Sequence, residues 1–341
     1  MQSNFSITIV TGTLNPHLCT FTRMLKAVKN QKYKGKIKHL ILDGGTKNGG
    51  IELAKKFGCI VKVFQNDSDE GSNRLYPSLQ YMTGDILVIL ESDNIPPTRY
   101  WISEMIQPFE DKEIFATFPA YNTATPDMNM LTRYTALLGS PDPTLYYLGK
   151  SDKIPVFQGT YDKGEILRET KEYYKIRFTK ETLPTVGDNG FAIRADIFKG
   201  LVKKNDVFYH TDKFVGLVTK TFDTYGVTKN SIIHTTKLGI LDQVKRRVQV
   251  KEHFTNEMKG KRVYLVYDPR SQKDRRNLLL YILYSLTIIQ PLFLSIRGYI
   301  MVPDPAWFLH PVMCLLMVLA YGWSEIKWNI KTIQSSLCQK N

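Results

Sequence analysis

TGDILVILESDNIPP, residues 83–97, is the stretch on which the fold turns. Residues 86–90 form an unbroken aliphatic run, the pattern of a short strand buried on both faces. The run stops at Glu91-Ser92-Asp93, and Pro96 and Pro97 close the stretch. In an extended strand end, residues i and i+2 point the same way, so Glu91 and Asp93 are expected on one side. Two carboxylates there make a hard, oxygen-rich site suited to Mg²⁺ or Mn²⁺. A solvated loop cap is the plain alternative for such a pair.

Working outward, apolar runs and helical spacings alternate from residue 6 to about 120. SITIV (6–10), KHLILD (38–43), CIVKVF (59–64) and the 86–90 run read as strands. CTFTRMLKAVKNQ (19–31), GIELAKKF (50–57), GSNRLYPSLQYM (71–82) and RYWISEMIQPF (99–109) read as helices, with Pro77 in a first turn or at a kink. This order predicts an α/β, Rossmann-like, mostly parallel sheet with helices on both faces. Ligands of such sheets bind beyond the C-terminal strand ends, where Asp43 and the Glu91/Asp93 pair fall. The glycines of LILDGGTKNGG (40–50) allow close backbone approach to a ligand, or simply make a tight turn. Residues 121–185 are less regular, TVGDNGFAIRADIF (185–198) returns to order, and DKFVGLVTKTFDTYG (212–226) reads as a helix ending at Gly226.

The chain has 341 residues and a formal net charge of +14, a balance that favours anionic partners. Much of the excess lies in residues 245–276, ahead of LLLYILYSLTIIQPLFLSI (278–296) and WFLHPVMCLLMVLAYGW (307–323). Both runs are apolar, the first carries no charge, and together they predict a transmembrane helical hairpin. Pro291 is expected to kink the first, and a buried hydrophobic hairpin is the alternative reading. Lys273, Arg275 and Arg276 before the first run and Lys327 and Lys331 after the second place the N-terminal domain and tail on the cytoplasmic face. A basic run beside a membrane segment favours anionic lipids, and no nucleic-acid reader motif is present, so no nucleic-acid partner is expected. The four cysteines form no C-x-x-C pair, which fits a reducing compartment, and no secretory signal is read at the start.

The motifs together resemble a family 2 glycosyltransferase of the GT-A fold, over roughly residues 5–250. VTGTLN (10–15) is similar to the family's opening Pro-Thr-Tyr-Asn, DGGTKNGG (43–50) to its Asp-Gly-Gly-Ser-Thr-Asp-Gly-Thr, and residues 83–97 to the segment ending in its Asp-x-Asp metal motif. The resemblance implies that Asp43 contacts the nucleotide base with Thr13 beside it, with Asn15, Arg74 and Ser92 grouped in the same nucleotide-binding set. It implies that Asp93, with Glu91 assisting, holds a divalent cation, Mg²⁺ or Mn²⁺, on the donor diphosphate. Some relatives supply a third ligand where His234 stands in SIIHTT (231–236). GDNGFAIRADIF resembles the acceptor-side segment, which brings in Asp188 and Asn189. In YHTDKFVGLV (209–218) Asp212 matches the second acid of the family's Glu-Asp, the expected general base, with Asp188 as the alternative; an N-cap role is the plain reading of Asp212. DQVKRRVQVK (242–251) resembles the family's Gln-x-x-Arg-Trp, which puts Gln243, Lys245, Arg246 and Arg247 on the leaving-group or acceptor side. The sequence departs from the family at Gly12 for proline, Asn48 for aspartate, Glu91 for aspartate and Arg247 for tryptophan.

The expectation is an inverting transfer of a sugar from a UDP- or GDP-linked donor to a lipid-linked or glycan acceptor at the cytoplasmic membrane face. Residues 1–250 are the expected catalytic domain, 251–276 a basic juxtamembrane segment, 277–325 the two spans and 326–341 a cytoplasmic tail. The alternatives are a catalytically degenerate membrane-anchored scaffold and a sugar-phosphate nucleotidyltransferase; the latter is expected to carry a basic Gly-rich loop that TGTLNPH (11–17) lacks.

Overall fold

The computed structural model describes residues 4–64, 72–204 and 210–338. Gly71 of the expected 71–82 helix, Tyr209 of the quoted YHTDKFVGLV motif and the last residues of the expected tail lie outside them. The chain forms two compact units. The first comprises residues up to 124, 152–154 and 160–235; the second comprises 125–151, 155–159 and 236 onward.

The first unit is built on β1 (Ile7–Thr13), α1 (Leu18–Lys29), β2 (Ile37–Asp43), α2 (Gly50–Lys56), β3 (Ile60–Val63), α3 (Ser72–Ser78) and β4 (Ile86–Ile89). In α1, Phe21, Met24, Leu25 and Val28 recur at helical spacing and are buried, while Lys26 and Lys29 complement the carbonyl end of the helix dipole. Pro77 stands near the end of α3, not in its first turn, and the helix passes into a 3₁₀ turn at Leu79–Tyr81. The unit continues through β5 (Asn94–Ile95), α4 (Trp101–Ile106) and β6 (Ala116–Thr123).

From 125 to 151 the chain enters the second unit with α5 (Met130–Leu138) and α6 (Pro143–Tyr147). It returns through β7 (Glu165–Glu169), β8 (Tyr173–Arg177), β9 (Phe191–Arg194), α7 (Ala195–Leu201), α8 (His210–Val218) and β10 (Thr224–His234). The second unit ends with α9 (Ile240–Lys251), α10 (Gln272–Thr287), α11 (Ile289–Met301) and α12 (Leu309–Cys338).

Among the described residues the strands form one sheet in the order β3-β2-β1-β4-β9-β6-β10-β8-β7, with β5 on β10. The sheet is mixed, where a mostly parallel one was expected. β1, β2, β3 and β4 pair in parallel, and β6 with β10; β9 runs antiparallel between β4 and β6, and β7, β8 and β5 also pair antiparallel. Every residue of β4 is buried, as its uninterrupted aliphatic run requires. The helix expected to end at Gly226 stops at Val218, and Gly226 lies inside β10. A β-carbon there would come within 2.6 Å of the Pro108 ring, so the strand needs glycine at this crossing.

The C-terminal part departs from two uninterrupted spans. The run expected as the first span is two helices, α10 and α11, bent by 83°. The break is at Ile288, which adopts a left-handed φ of 63°. Pro291 follows in the first turn of α11, where its missing N–H costs no helical bond. Among the described residues one helix, Pro305–Ser335, is by itself long and apolar enough to cross a bilayer. A buried cluster of Tyr134, Leu138, Val244, Leu294, Trp307 and Met313 joins α5, α9, α11 and α12. Gly298 permits the α11 approach, since a β-carbon there would lie 2.4 Å from the Trp307 ring.

Candidate functional site

The site is built from loops at the C-terminal ends of β1, β2 and β4, joined by segments from β9, α8 and β10. Parallel register sets Thr13 opposite Asp43. The Thr13 hydroxyl donates to Asp43 Oδ2 at 2.8 Å, while Asp43 Oδ1 accepts from the backbone N–H groups of Gly45 at 2.8 Å and Thr46 at 2.7 Å. Burial by itself raises this carboxyl, but the bonds from Thr46, Thr13 and Gly45 outweigh it and hold Asp43 below the usual carboxylate range. Asp43 is therefore the knot of its own glycine loop. Asn15, with a left-handed φ of 47°, ties that loop to β1 by donating its N–H to the Thr46 hydroxyl and accepting from the Lys47 N–H, both at 2.9 Å. Asn48 bonds Pro16 O at 2.8 Å and so fastens the same loop.

Arg74 comes from α3 and is buried. Its Nη1 donates to Thr13 O at 2.9 Å and Leu42 O at 3.0 Å, bridging the ends of β1 and β2. A β-carbon on Gly12 would stand 3.7 Å from Glu91 Oε2 and 3.8 Å from Arg74 Nη2, so Glu91 and Arg74 share the space beside Gly12.

Glu91 and Asp93 do not sit in extended backbone. The Asn94 N–H donates to Glu91 O at 3.0 Å and closes a turn, with Ser92 and Asp93 at its corner. The same-side geometry of a strand end does not apply, and the turn brings the two acids together instead. Enclosure, then the charges of Asp188 and Asp93, push the Glu91 carboxyl up to about 8, against the pull of Arg74 and His234. His234 is placed by antiparallel pairing of β10 with β5, opposite Asn94, and its Nε2 lies 3.5 Å from Asp93 Oδ2.

The sequence reading missed Asn94, which is fully buried. Its Nδ2 donates to Asp93 Oδ1 at 3.0 Å and to Asn189 Oδ1 at 3.1 Å, and Asn189 donates in turn to Asp188 Oδ1 at 3.1 Å. Before Ile-Pro-Pro, an asparagine looks like turn punctuation, and no local signal reveals a partner so far along the chain. Asn189 itself has a left-handed φ of 43°, between Gly187 at 128° and Gly190 at 83°. A β-carbon on Gly187 would lie 2.4 Å from His210 Cβ, so the glycine admits the start of α8. His210 interacts electrostatically with Asp188; burial lowers its basicity and Asp188 raises it. Asp212 lies in the same first turn of α8.

Asp152 and Lys153 were also missed. This short return from the helical unit carries an ion pair between the two, with the Lys153 side chain only 2% exposed. Burial raises the Asp152 carboxyl, Lys153 pulls it back, and Asp188 pushes it up again. Gln243, Lys245, Arg246 and Arg247 stand on α9, in the second unit. There the Gln243 amide is buried and donates to Pro141 O at 2.9 Å.

Among the described residues no three His, Cys, Asp or Glu side chains close on one metal position. The donor set nonetheless fits a small dication that takes its remaining ligands from phosphate: a carboxylate and an imidazole converge at Asp93 and His234, beside an excess of negative charge at Glu91 and Asp188.

A solved mannosyltransferase from Pyrobaculum calidifontis, in complex with GDP-Man and Mn²⁺, has a similar fold at 11% identity, with a TM-score of 0.53 over 95% of this chain and 88% of that chain. Glucosyl-3-phosphoglycerate synthase from Mycobacterium tuberculosis, in complex with phosphoglyceric acid, aligns at 13% identity over 73% of this chain and 79% of that chain, with a TM-score of 0.45. No curated protein matches the chain. The description of glycosyl transferase family 2 matches residues 8–201, more than half of the chain, from the second residue of β1 to the end of α7, and the protein belongs to that family.

Proposed function

We propose that the protein transfers a sugar, with inversion, from a nucleoside-diphosphate donor to a lipid-linked or glycan acceptor held at a membrane surface. The observation that supports this reading is the Asp93–Asn94–Asn189–Asp188 chain of hydrogen bonds; in this reading Asp93 serves the diphosphate and Asp188 the acceptor side. Thr13, Asn15, Asp43 and Arg74 shape the nucleotide end, and Ser92, at the corner of the β4 turn, belongs to the same nucleotide-binding set. Asp93 and His234 would hold a divalent ion, with Glu91 alongside. When bound, that ion neutralises charge on the departing diphosphate.

Asp212 takes the proton of the acceptor hydroxyl as it attacks the anomeric carbon, and Asp188 is the alternative base. Gln243, Lys245, Arg246 and Arg247 serve the leaving-group or acceptor side. The test is release of nucleoside diphosphate from UDP- and GDP-sugars by purified protein, with membrane lipid extract as acceptor. Turnover with transfer supports the reading. Nucleotide binding without turnover of any donor favours the degenerate scaffold. Release of pyrophosphate from a sugar phosphate and nucleoside triphosphate favours the nucleotidyltransferase.

A further inference from the structure

The helical unit buries an apolar cluster and exposes apolar side chains as well. On α11 the buried face holds Pro291, Leu294, Ser295 and Gly298, while the larger apolar side chains of Ile289, Phe293, Ile296 and Ile300 are exposed, Ile300 by 76%. These four recur at i, i+4, i+7 and i+11, one continuous helical stripe. On α10, Tyr281 and Ser285 are buried and Leu279, Leu283 and Leu286 are exposed. On α12, Leu319, Trp323, Ile326 and Ile330 form a third exposed stripe. Stripes of this size on three successive helices mark a surface whose solvent is not water.

The other face of α12 decides how that surface meets lipid. Between His310 and Glu325 it buries Met313, Cys314 and Met317 and also makes polar bonds to neighbouring segments. His310 bonds the Tyr134 and Tyr147 hydroxyls at 3.0 and 3.1 Å, Tyr321 donates to Asp142, Ser324 donates to Glu252 at 2.6 Å, and Glu325 pairs with Lys251. From His310 to Glu325 the helix rises about 22 Å, most of a hydrocarbon core of about 30 Å. Were α12 to cross, α9 with its exposed Lys245 and Arg246 would be carried into the hydrocarbon beside it. The 83° bend at Ile288 likewise turns α11 away from α10 instead of continuing one span. Exposed cations flank the apolar stripes: Lys273, Arg275 and Arg276 in the first turns of α10, and Lys327 and Lys331 on α12.

We propose that α10, α11 and α12 form a monotopic platform lying flat in one leaflet of an anionic bilayer, with no segment crossing it. This deepens the membrane-surface reading above and rests on it. The apolar stripes sit among the acyl chains and the lysines and arginines meet anionic headgroups.

The experiment uses the full chain with its native cysteines replaced, reconstituted with phosphatidylcholine–phosphatidylglycerol vesicles. Single cysteines are introduced by Pro303→Cys, between α11 and α12, by Lys331→Cys, and by Lys112→Cys as a reference in the sheet unit; all three sites are exposed. The protein is expected to float with the vesicles, and a membrane-impermeant maleimide to label all three cysteines equally before permeabilisation. Protection of Pro303→Cys alone would establish two spans, and opposite protection of Pro303→Cys and Lys331→Cys a single span; either overturns the proposal while leaving membrane attachment intact. Failure to float, in protein that still binds nucleotide, would overturn the membrane reading and the platform together. As a second variant, Phe293→Glu with Ile300→Glu is expected to cut vesicle binding at least about tenfold without changing nucleotide binding, because both side chains are exposed and neither supports the core. Unchanged vesicle binding in that variant would remove α11 from the lipid-facing surface and overturn the proposal.

Discussion

Asn94 and Asn189 are joined side chain to side chain at 3.1 Å, across 95 residues of sequence. The bond ties the β4 turn to the loop before β9, and so fixes how far Asp93 stands from Asp188. Asn94→Ala leaves the Asp93 and Asn189 oxygens without this donor in a buried place, with an expected stability loss of about 1–3 kcal/mol. Asn94→Asp is expected to be at least as damaging, because it adds a charge beside Asp93. Denaturant melts and donor turnover, measured on the same preparations, check both.

Asp93→Ala is expected to abolish the Mn²⁺-dependent part of UDP or GDP binding in calorimetry. Glu91→Gln keeps the turn and the space beside Gly12, so a smaller loss is expected. Chelation of divalent ions from the wild type should reproduce the Asp93→Ala result. Equal binding by wild type and Asp93→Ala, with and without metal, would remove Asp93 from the metal's ligands.

The two candidate bases separate by kinetics. Asp212→Asn is expected to lower kcat about 10²–10⁴-fold with little change in donor KM, the ordinary worth of a positioned base. Asp188→Asn also disturbs the Asn189 bond and the field at Glu91, so both kcat and donor affinity are expected to fall. If Asp188→Asn alone loses kcat, Asp188 is the base and Asp212 a helix-terminus residue.

Gly187 is needed for its backbone and for its missing side chain. Its φ of 128° is strained for other residues, and a β-carbon would collide with His210 at 2.4 Å. Gly187→Ala is expected to cost about 2 kcal/mol or more and to displace the start of α8 from Asp188. Thermal melting and the kcat of the surviving folded fraction test this.

Acid stability should report His39, half-buried on β2, with its ring nitrogens 3.0 Å from Thr11 Oγ1 and 3.4 Å from Cys59 Sγ. Burial pushes its pKa from 6.5 down to about 4, so the folded state holds it neutral. The unfolded chain then binds more protons, and stability falls as pH drops from 6.5 towards 4. The loss is at most about 3 kcal/mol, reduced by the ring's remaining exposure. Melts between pH 4 and 7 should show a shallower slope for His39→Asn than for wild type.

The β1-to-β4 half was legible because each strand there announces itself by a local apolar run and each loop by glycine or an acid. The later sheet was less so. β9 and β10 were hidden, the first in a glycine-framed segment and the second behind a stretch whose spacing also suits a helix. Asn94, Asp152 and Lys153 escaped notice because their partners are distant in sequence, and a hydrogen-bond partner leaves no periodicity. The two apolar C-terminal runs were visible, but hydropathy counts residues and is blind to direction. It could not register the left-handed turn at Ile288 or the polar bonds along one face of α12.

What the sequence by itself determined is the strands from β1 to β4, the glycine-bearing loops and the acids at their ends. Those follow from side-chain chemistry and near-neighbour backbone preference, which act within a few residues. The tertiary structure alone decided that β9 enters antiparallel, that Glu91 turns toward Arg74 while Asp93 meets His234, and that residues 152–154 return to the sheet. Each of these depends on packing and hydrogen bonds between segments far apart in the chain, whose energies exist only once the chain has closed on itself.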